Sequence, residues 1–384
     1  MNKTKVVFIT LTINEYKRHL YCALNKESGF TFMAFHGKEP KNLPPYDIGQ
    51  VMDFSNLLIR NVYFRHKSRI IFAFQVLFIE LLRFNPDVII LQDGVKILSN
   101  YLVILYAKIL GKRIIWYTHG ENRQKKTDNS FSLKLREFIR LCYLKSSDGV
   151  IAYTRGIKNR LVDKSVDRNK IFIAQNTLDV DKILEDKKKV TPNEIKDIKE
   201  QFFLEGKKVI CYVGRLVQEK MPIHFLKLIK GLNNLNLGNY AGIIIGDGPL
   251  LNKMKYVVRA DKIKNIHFIG CLPISETGKY LLNADIMFLP GMTGLAIVHA
   301  FCYGLPYITF DIDMHSPEIE YLRNGYNGLL VKPSIYINEI YELLESDRRL
   351  AKMKGNALVT VKELTINRQK KGFVDAILYL SDGK

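Results

Sequence analysis

Short, continuous runs of apolar residues rich in Val and Ile alternate along this chain with stretches of helical spacing, and the alternation runs through twice. In the first half the runs are Val6–Leu11, Phe30–Phe35, Val88–Gln92, Arg113–Thr118, Gly149–Tyr153 and Lys170–Ala174. Helical patterns lie between them near Glu15–Asn25, Arg69–Arg83, Leu98–Leu110, Phe131–Lys145 and Arg155–Val162. Strands that are apolar on both faces and separated by helices predict βαβ units and a parallel sheet. A charged stretch with a proline, Asp181–Glu205, then breaks the rhythm and reads as a connection with helical pieces. The alternation resumes with strands at Val209–Val213, Ala241–Ile245, Ile266–Phe268, Ile286–Leu289, Tyr307–Phe310 and Gly328–Val331. Its helices fall near Ile223–Leu232, Pro249–Arg259, Ile274–Asn283, Leu295–Tyr303 and Tyr336–Ser346. The tail Val359–Leu380 is helical in pattern and is expected to return to the first domain.

The fold class expected is therefore α/β, with two doubly wound domains. Their boundaries are 1–180, a connection over 181–205, a second domain over 206–358 and a returning helix over 359–384. Ligands in such sheets bind beyond the carboxyl ends of the strands, so the residues just after each strand are where chemistry is sought.

Composition narrows the class further. With 384 residues, 47% of them hydrophobic, the chain can bury two cores. The five cysteines are scattered without a CxxC pair, which suggests neither a disulfide framework nor a zinc site and predicts a cytoplasmic protein. The apolar stretches Ile70–Leu82 and Ile97–Leu110 are interrupted by Glu80, Asn100 and Lys108 and fall short of the roughly 18–20 residues of a membrane span. The net charge of +20 is uneven: residues 1–180 carry +14 and the remainder +6. That excess calls for an anionic partner or serves solubility alone.

Four segments after strands in the second half stand out. Gly214-Arg215-Leu216-Val217-Gln218-Glu219-Lys220 puts two cations five residues apart beyond a strand end, an arrangement suited to a diphosphate or to a solvated loop. Gly246-Asp247-Gly248-Pro249 half-matches a dinucleotide fingerprint but lacks its third glycine. Gly291-Met292-Thr293-Gly294-Leu295 turns from a strand into a helix whose first amides would form an anion site, and the helix carries His299, by type as often a core residue as a ligand. Asp311 to Gly328 is polar and contains Glu318 and Glu320, able to accept from sugar hydroxyls or to cap a helix start.

The order of these segments, GRLVQEK, GDGPL, IHFIGCLP, NADIMFLPG…GLAIVHAFCYGLPYITF and PEIEYLRNGYNGLLV, resembles the C-terminal half of GT-B glycosyltransferases, specifically the large retaining family 4. The motifs cover about residues 208–332, and the architecture extends to the whole chain. The resemblance implies that Arg215 and Lys220 bind the donor diphosphate. It places Gly246, Asp247 and Gly248 near the nucleotide, the loop around Gly270 beside the base, and Thr293, Gly294 and Leu295 against donor sugar and phosphate. One departure is plain: the family has two glutamates eight positions apart around this turn, for donor sugar and ribose, and here they are Gly291 and His299. His299 could still bond a ribose. In the first half, Trp116-Tyr117-Thr118-His119-Gly120-Glu121-Asn122 resembles the segment that sets a histidine, here His119, beside the donor sugar. Asp93-Gly94, also after a strand, is assigned to the acceptor side.

The reaction implied is transfer of a hexose from a nucleotide sugar, UDP first and GDP as the alternative, to a hydroxyl of a saccharide or lipid-linked saccharide, within bacterial surface polysaccharide assembly. No metal and no further cofactor is expected: Asp311-Ile312-Asp313 and Asp179-Val180-Asp181 both match the short DxD pattern, so the pattern discriminates little. Arg60, Arg65, Lys67 and Arg69, with Tyr63, Phe64 and the Ile70–Leu82 stretch, suggest docking at an anionic membrane surface on its inner face. The competing readings are an inactive nucleotide-binding or regulatory protein on the same scaffold and, last, a nucleic-acid binder, for which no module is present.

Overall fold

The computed structural model describes residues 3–38, 52–66, 69–120, 131–235 and 239–381. Lys67, Glu121 and Asn122, singled out above, lie outside the described residues. The chain divides into two compact units, Met1–Asn176 with Ile366–Lys384, and Thr177–Thr365.

The first unit is built on a parallel seven-stranded sheet. Its elements in chain order are β1 (Thr4–Thr10), α1 (Glu15–Asn25), β2 (Phe30–His36), β3 (Asn56–Leu58), β4 (Arg60–His66), β5 (Arg69–Val76), α2 (Phe78–Phe84), β6 (Val88–Gln92), α3 (Leu98–Ile109), β7 (Arg113–Thr118), α4 (Phe131–Ser146), β8 (Gly149–Ala152), α5 (Arg155–Asp163) and β9 (Ile171–Ile173). The sheet order is β3-β2-β1-β6-β7-β8-β9, while β4 and β5 pair only with each other, antiparallel. The central strands are buried along most of their length, which is why they read as unbroken apolar runs.

The helix expected over Arg69–Arg83 is instead a strand followed by a short helix. Residues Arg69–Val76 form β5, and only Phe78–Phe84 is helical. The segment is apolar, but its Ile, Phe and Val alternate between two faces and find a partner strand in Arg60–His66, so strand pairing wins over helix formation. β3 and β4 are likewise strands that the apolar pattern does not predict.

The second unit holds a six-stranded parallel sheet in the order β12-β11-β10-β13-β14-β15. Its elements are α6 (Val180–Lys189), α7 (Pro192–Gln201), β10 (Lys208–Val213), α8 (Ile223–Leu235), β11 (Tyr240–Ile245), α9 (Leu251–Ala260), β12 (Ile266–Gly270), α10 (Gly278–Leu281), β13 (Ile286–Phe288), α11 (Ala296–Cys302), β14 (Tyr307–Phe310), β15 (Gly328–Val331), α12 (Tyr336–Leu344) and α13 (Asp347–Val361). An aromatic cluster of Phe288, Phe310 and Tyr336, with ring centroids 5.1–5.8 Å apart, fills the space between sheet and helices.

The stretch Asp181–Glu205, expected as a connection, folds as α6 and α7 within the second unit. Local chemistry explains it. Asp179 caps α6 by accepting from the Lys182 amide at 3.0 Å, so the Asp179–Asp181 pair belongs to a helix start. Thr191 and Glu194 form a reciprocal capping box with Pro192 in the first turn. The tail is two helices: α13 stays with the second unit, and α14 (Ile366–Ser381) returns to the first. There Phe373 packs its ring 4.8 Å from Tyr117 and 6.0 Å from Phe8.

Candidate active site

In the second unit the loops after β10, β11, β12 and β13 are laced together through their backbones. The Gly214 amide donates to Ile245 O at 3.0 Å, Leu216 N to Asp247 O at 2.8 Å, and Gly246 N to Gly270 O at 2.7 Å. A Cβ on Gly246 would sit 2.0 Å from the Gly214 carbonyl oxygen, so only glycine lets these two turns close. Asp247 is exposed and its Oδ1 accepts from the Gly248 amide. Gly270 ends β12 with φ +89° and open space where a side chain would stand.

Lys220 is the chemical centre of this lacework. It closes a short 3-10 turn, Gln218–Lys220, and its ammonium reaches back over Gly214, with Nζ 3.4 Å from the point where a Gly214 Cβ would lie. No carboxylate pairs with it among the described residues. Burial alone pushes its pKa down to about 8. Arg215, five residues before, is exposed and likewise has no ion pair among the described residues. Two cations without counter-charges at one strand end are an anion site by their chemistry.

The turn after β13 rests directly on this lysine. Gly291 N donates to Lys220 O at 3.2 Å and Met292 N to Glu219 O at 2.8 Å. A Cβ on Gly291 would meet Glu219 O at 2.2 Å and the Lys220 carbonyl carbon at 2.6 Å. Beyond it, the amides of Gly294 and Leu295 have no acceptor among the described residues, and nothing lies within 4 Å of a Cβ on Gly294.

Two expected ligand contacts are turned inward. Thr293 is fully buried: its amide donates to His315 Nδ1 at 3.1 Å, its carbonyl accepts from Ser316 N at 3.1 Å, and its hydroxyl lies 3.2 Å from Tyr307 Oη. Its polar groups are taken up by the fold, so in this geometry it has no amide to offer a donor. His299 is 3% exposed, and its Nε2 lies 3.1 Å from Thr277 Oγ1. Thr277 donates to Ile274 O at 2.7 Å and therefore accepts from His299, which places the imidazole proton on Nε2. Burial pushes His299 down to about 4, so it is neutral at pH 7. Glu318 is buried and Glu320 half-buried in the short 3-10 helix Pro317–Tyr321, which Ser316 ties to Thr293.

His315 was not picked out from the sequence. It is buried, with Nδ1 on the Thr293 amide and Nε2 donating to Phe310 O at 2.7 Å. It joins the end of β14 to the turn after β13. A buried histidine in a polar loop has no periodic signal, and only the fold brings its partners together.

In the first unit, His119 follows β7 as a residue partly open to solvent, with protein packed around its imidazole. Desolvation lowers its pKa; Asp93 acts in the opposite sense, and Lys17 and Arg140 in the same sense. Asp93, assigned above to the acceptor side, is corrected: it is buried and faces inward. Its carboxylate accepts from Tyr143 and from Thr118 at 2.5 Å, and Arg140 lies 3.4 Å away. Thr118 Oγ1 in turn accepts from the Gly120 amide at 3.0 Å. The network clamps the residues on either side of His119. Arg140 is held further by Glu137 at 2.8 Å, whose pKa is lowered, against its own desolvation, by hydrogen bonds from Arg140 and Lys164. Among the described residues no group of three or more His, Cys, Asp and Glu is placed to hold a metal ion.

Comparison with known proteins shows the family and the fold. Residues 193–358 match the family described as glycosyl transferases group 1, and residues 31–182 the one described as glycosyltransferase family 4. An uncharacterised glycosyltransferase of Methanocaldococcus jannaschii is 26% identical over 302 residues, covering 75% of this chain and 73% of the relative. The UDP-Gal:alpha-D-GlcNAc-diphosphoundecaprenol alpha-1,3-galactosyltransferase of Escherichia coli is 29% identical over 175 residues, covering 44% of this chain and only 42% of that protein. Among solved structures, Anabaena HepE in complex with UDP has a TM-score of 0.71 at 14% identity, over 98% of this chain and 100% of that one, a likeness of fold.

Proposed function

Given that the chain belongs to the group 1 glycosyltransferases, with the GT-B fold, we propose that it moves a hexose from a UDP-sugar to a hydroxyl of a lipid-linked saccharide, with retention, in the assembly of a bacterial surface polysaccharide. The observation that carries the reading is Lys220, half-buried with a desolvated ammonium and no counter-charge among the described residues, beside exposed Arg215 at the end of β10. UDP is favoured because a matched relative uses a UDP-sugar, with GDP as the alternative. The lipid-linked acceptor is supported by the same relative, whose named substrate is a diphosphoundecaprenol saccharide.

In this mechanism the sugar–phosphate bond breaks towards an oxocarbenium-like sugar, and negative charge gathers on the leaving diphosphate. Arg215, Lys220 and the amides of Gly294 and Leu295 stabilise that charge from fixed positions. The acceptor hydroxyl attacks from the face the phosphate leaves, and the phosphate oxygen takes its proton, so no protein nucleophile and no metal is called for. Glu320, more open than Glu318, contacts the donor, and His119 bonds the sugar. Loss of either cation is expected to raise the barrier by about 2–4 kcal/mol.

The inactive-scaffold reading has its own support: no carboxylate fits at Gly291, and Thr293 and His299 face inward. The experiment is a thermal-shift series with UDP, GDP, dTDP, CMP and ADP and their sugars, followed by hydrolysis and transfer assays. A nucleotide at a hundred times its Kd should stabilise by about 2.7 kcal/mol. A shift with one nucleotide, lost in Arg215→Ala, followed by sugar release or transfer supports the enzyme. Nucleotide binding without turnover of any donor supports the scaffold instead.

A further inference from the structure

Building on the reading of a lipid-linked acceptor, we propose that the outer face of the β4–β5 hairpin, with the exposed sides of α2 and α3, docks on an anionic lipid surface. The hairpin has two unlike faces. Its inner face is used by the fold: Ala73 and Gln75 are buried, the Asn61 and Gln75 amides donate to Leu11 O at 2.8 Å and Thr10 O at 3.1 Å, and Ala73 N donates to Lys96 O at 3.0 Å. The outer face sets Arg60, Val62 and Phe64 opposite Val76, Phe74 and Phe72. Phe64 is 50% exposed, Phe72 41% and Val76 54%. A pair of phenylalanines side by side in water is a cost that a partner would remove.

The face continues. α2 follows β5 directly and exposes Ile79 and Leu82, and α3 packs against β5 and exposes Leu105 and Ile109. Tyr106 Oη donates to Leu81 O at 3.3 Å and holds α3 to α2.

Charge identifies the occupant. Arg60, Arg65 and Lys108 are exposed on these elements, and Arg83 with them. The sole acidic residue of the four elements is Glu80, which lies 3.1 Å from Arg83. Apolar side chains among long cations match a lipid interface, where the rings enter the acyl boundary and the cations meet headgroup phosphates. A second copy of the chain would bring the same positive charges face to face, which opposes pairing. The face is also too charged for the interior of the protein and too apolar for a solvated surface.

The test is co-sedimentation of the full chain with vesicles of phosphatidylglycerol and phosphatidylethanolamine, and with vesicles of phosphatidylcholine alone, at low and high salt. Phe64→Ser, Phe72→Ser and the pair Arg60→Glu with Arg65→Glu are compared with wild type, each checked for an unchanged melting temperature and an unchanged nucleotide-induced shift. Wild type is expected to pellet with the anionic vesicles at low salt, and each Phe→Ser to weaken partitioning about tenfold. Sugar transfer to a water-soluble acceptor analogue should stay unchanged in these variants, so a failure of docking and a failure of the glycosyltransferase reading are told apart. Pelleting that is absent in wild type, or equal in wild type and every variant, overturns the proposal. So does a concentration-dependent dimer that Phe64→Ser dissociates, which would make the face a contact between copies.

Discussion

Gly291 donates its amide to the carbonyl of Lys220 at 3.2 Å, and the backbone of Glu219 and Lys220 fills the space that any side chain at Gly291 would need. The missing carboxylate at this turn is therefore part of how the lysine is seated. Gly291→Glu should not restore a sugar contact. It should push the turn off Lys220, destabilise the protein by about 2–4 kcal/mol and weaken nucleotide binding. Gly291→Ala should do the same to a smaller degree. Gly294→Ala, with nothing within 4 Å of its Cβ, should leave the melting temperature close to wild type. Thermal unfolding with a nucleotide titration checks all three, and a stable Gly291→Glu protein with tighter donor binding would show the turn to be free.

Lys220 should make nucleotide binding depend on pH in one direction. Its pKa is held at about 8 by burial, and an anion binds the charged form. Affinity should be flat below pH 8 and fall above it, by up to about tenfold per pH unit, until the pKa of the complex is reached. In the ligand-free protein the unfolded chain binds more protons between about 8 and the ordinary 10.5, so this group makes stability rise with pH across that window. Lys220→Arg keeps its charge and should flatten the binding profile. Calorimetry between pH 7 and pH 10 reads both, and a flat wild-type profile would place the anion elsewhere.

His315 joins two buried backbone groups, the Thr293 amide and the Phe310 carbonyl. His315→Ala leaves both without that partner, at about 1–3 kcal/mol each if no water replaces it. The expected result is a lower melting temperature together with a raised KM for the donor, because the turn carrying the Gly294 and Leu295 amides loses its brace. An unchanged KM alongside a lowered melting temperature would make His315 structural only.

How much of this was legible in the residues depends on whether a signal is local. Strands such as Val88–Gln92 and Tyr307–Phe310 declare themselves because they are buried on both faces. Arg215 and Lys220 could be picked out because a glycine and two cations after a strand form a local pattern. The β4–β5 hairpin escaped because its apolar density resembles a buried helix, and pairing with Arg60–His66 is what decides otherwise. The inward turn of Thr293, His299 and Asp93 was also out of reach. Each is polar and lies just after a strand or in the helix that follows one, which reads as ligand chemistry, yet its partners, His315, Thr277 and Tyr143 with Arg140, lie 22 to 50 residues away. Only the folded chain spends those polar groups internally.

Asp93 offers the sharpest separation of chemistry from binding, because it acts on the histidine loop of one unit while the nucleotide cations belong to the other. Thr118 is the relay: it donates to Asp93 at 2.5 Å and accepts from Gly120 N at 3.0 Å, with His119 between them in sequence. Thr118→Val keeps the shape and removes the hydroxyl, leaving the Gly120 amide without that acceptor at about 1–3 kcal/mol. The loop then loses the bond that sets the direction of His119. Transfer should slow, with kcat falling about tenfold if about 1.4 kcal/mol of positioning is lost. The Kd for UDP should not change. Steady-state kinetics with the nucleotide sugar, run beside a UDP titration, give both numbers. Equal losses in kcat and in UDP affinity would point instead to general destabilisation, and an unchanged kcat would remove His119 from the reaction.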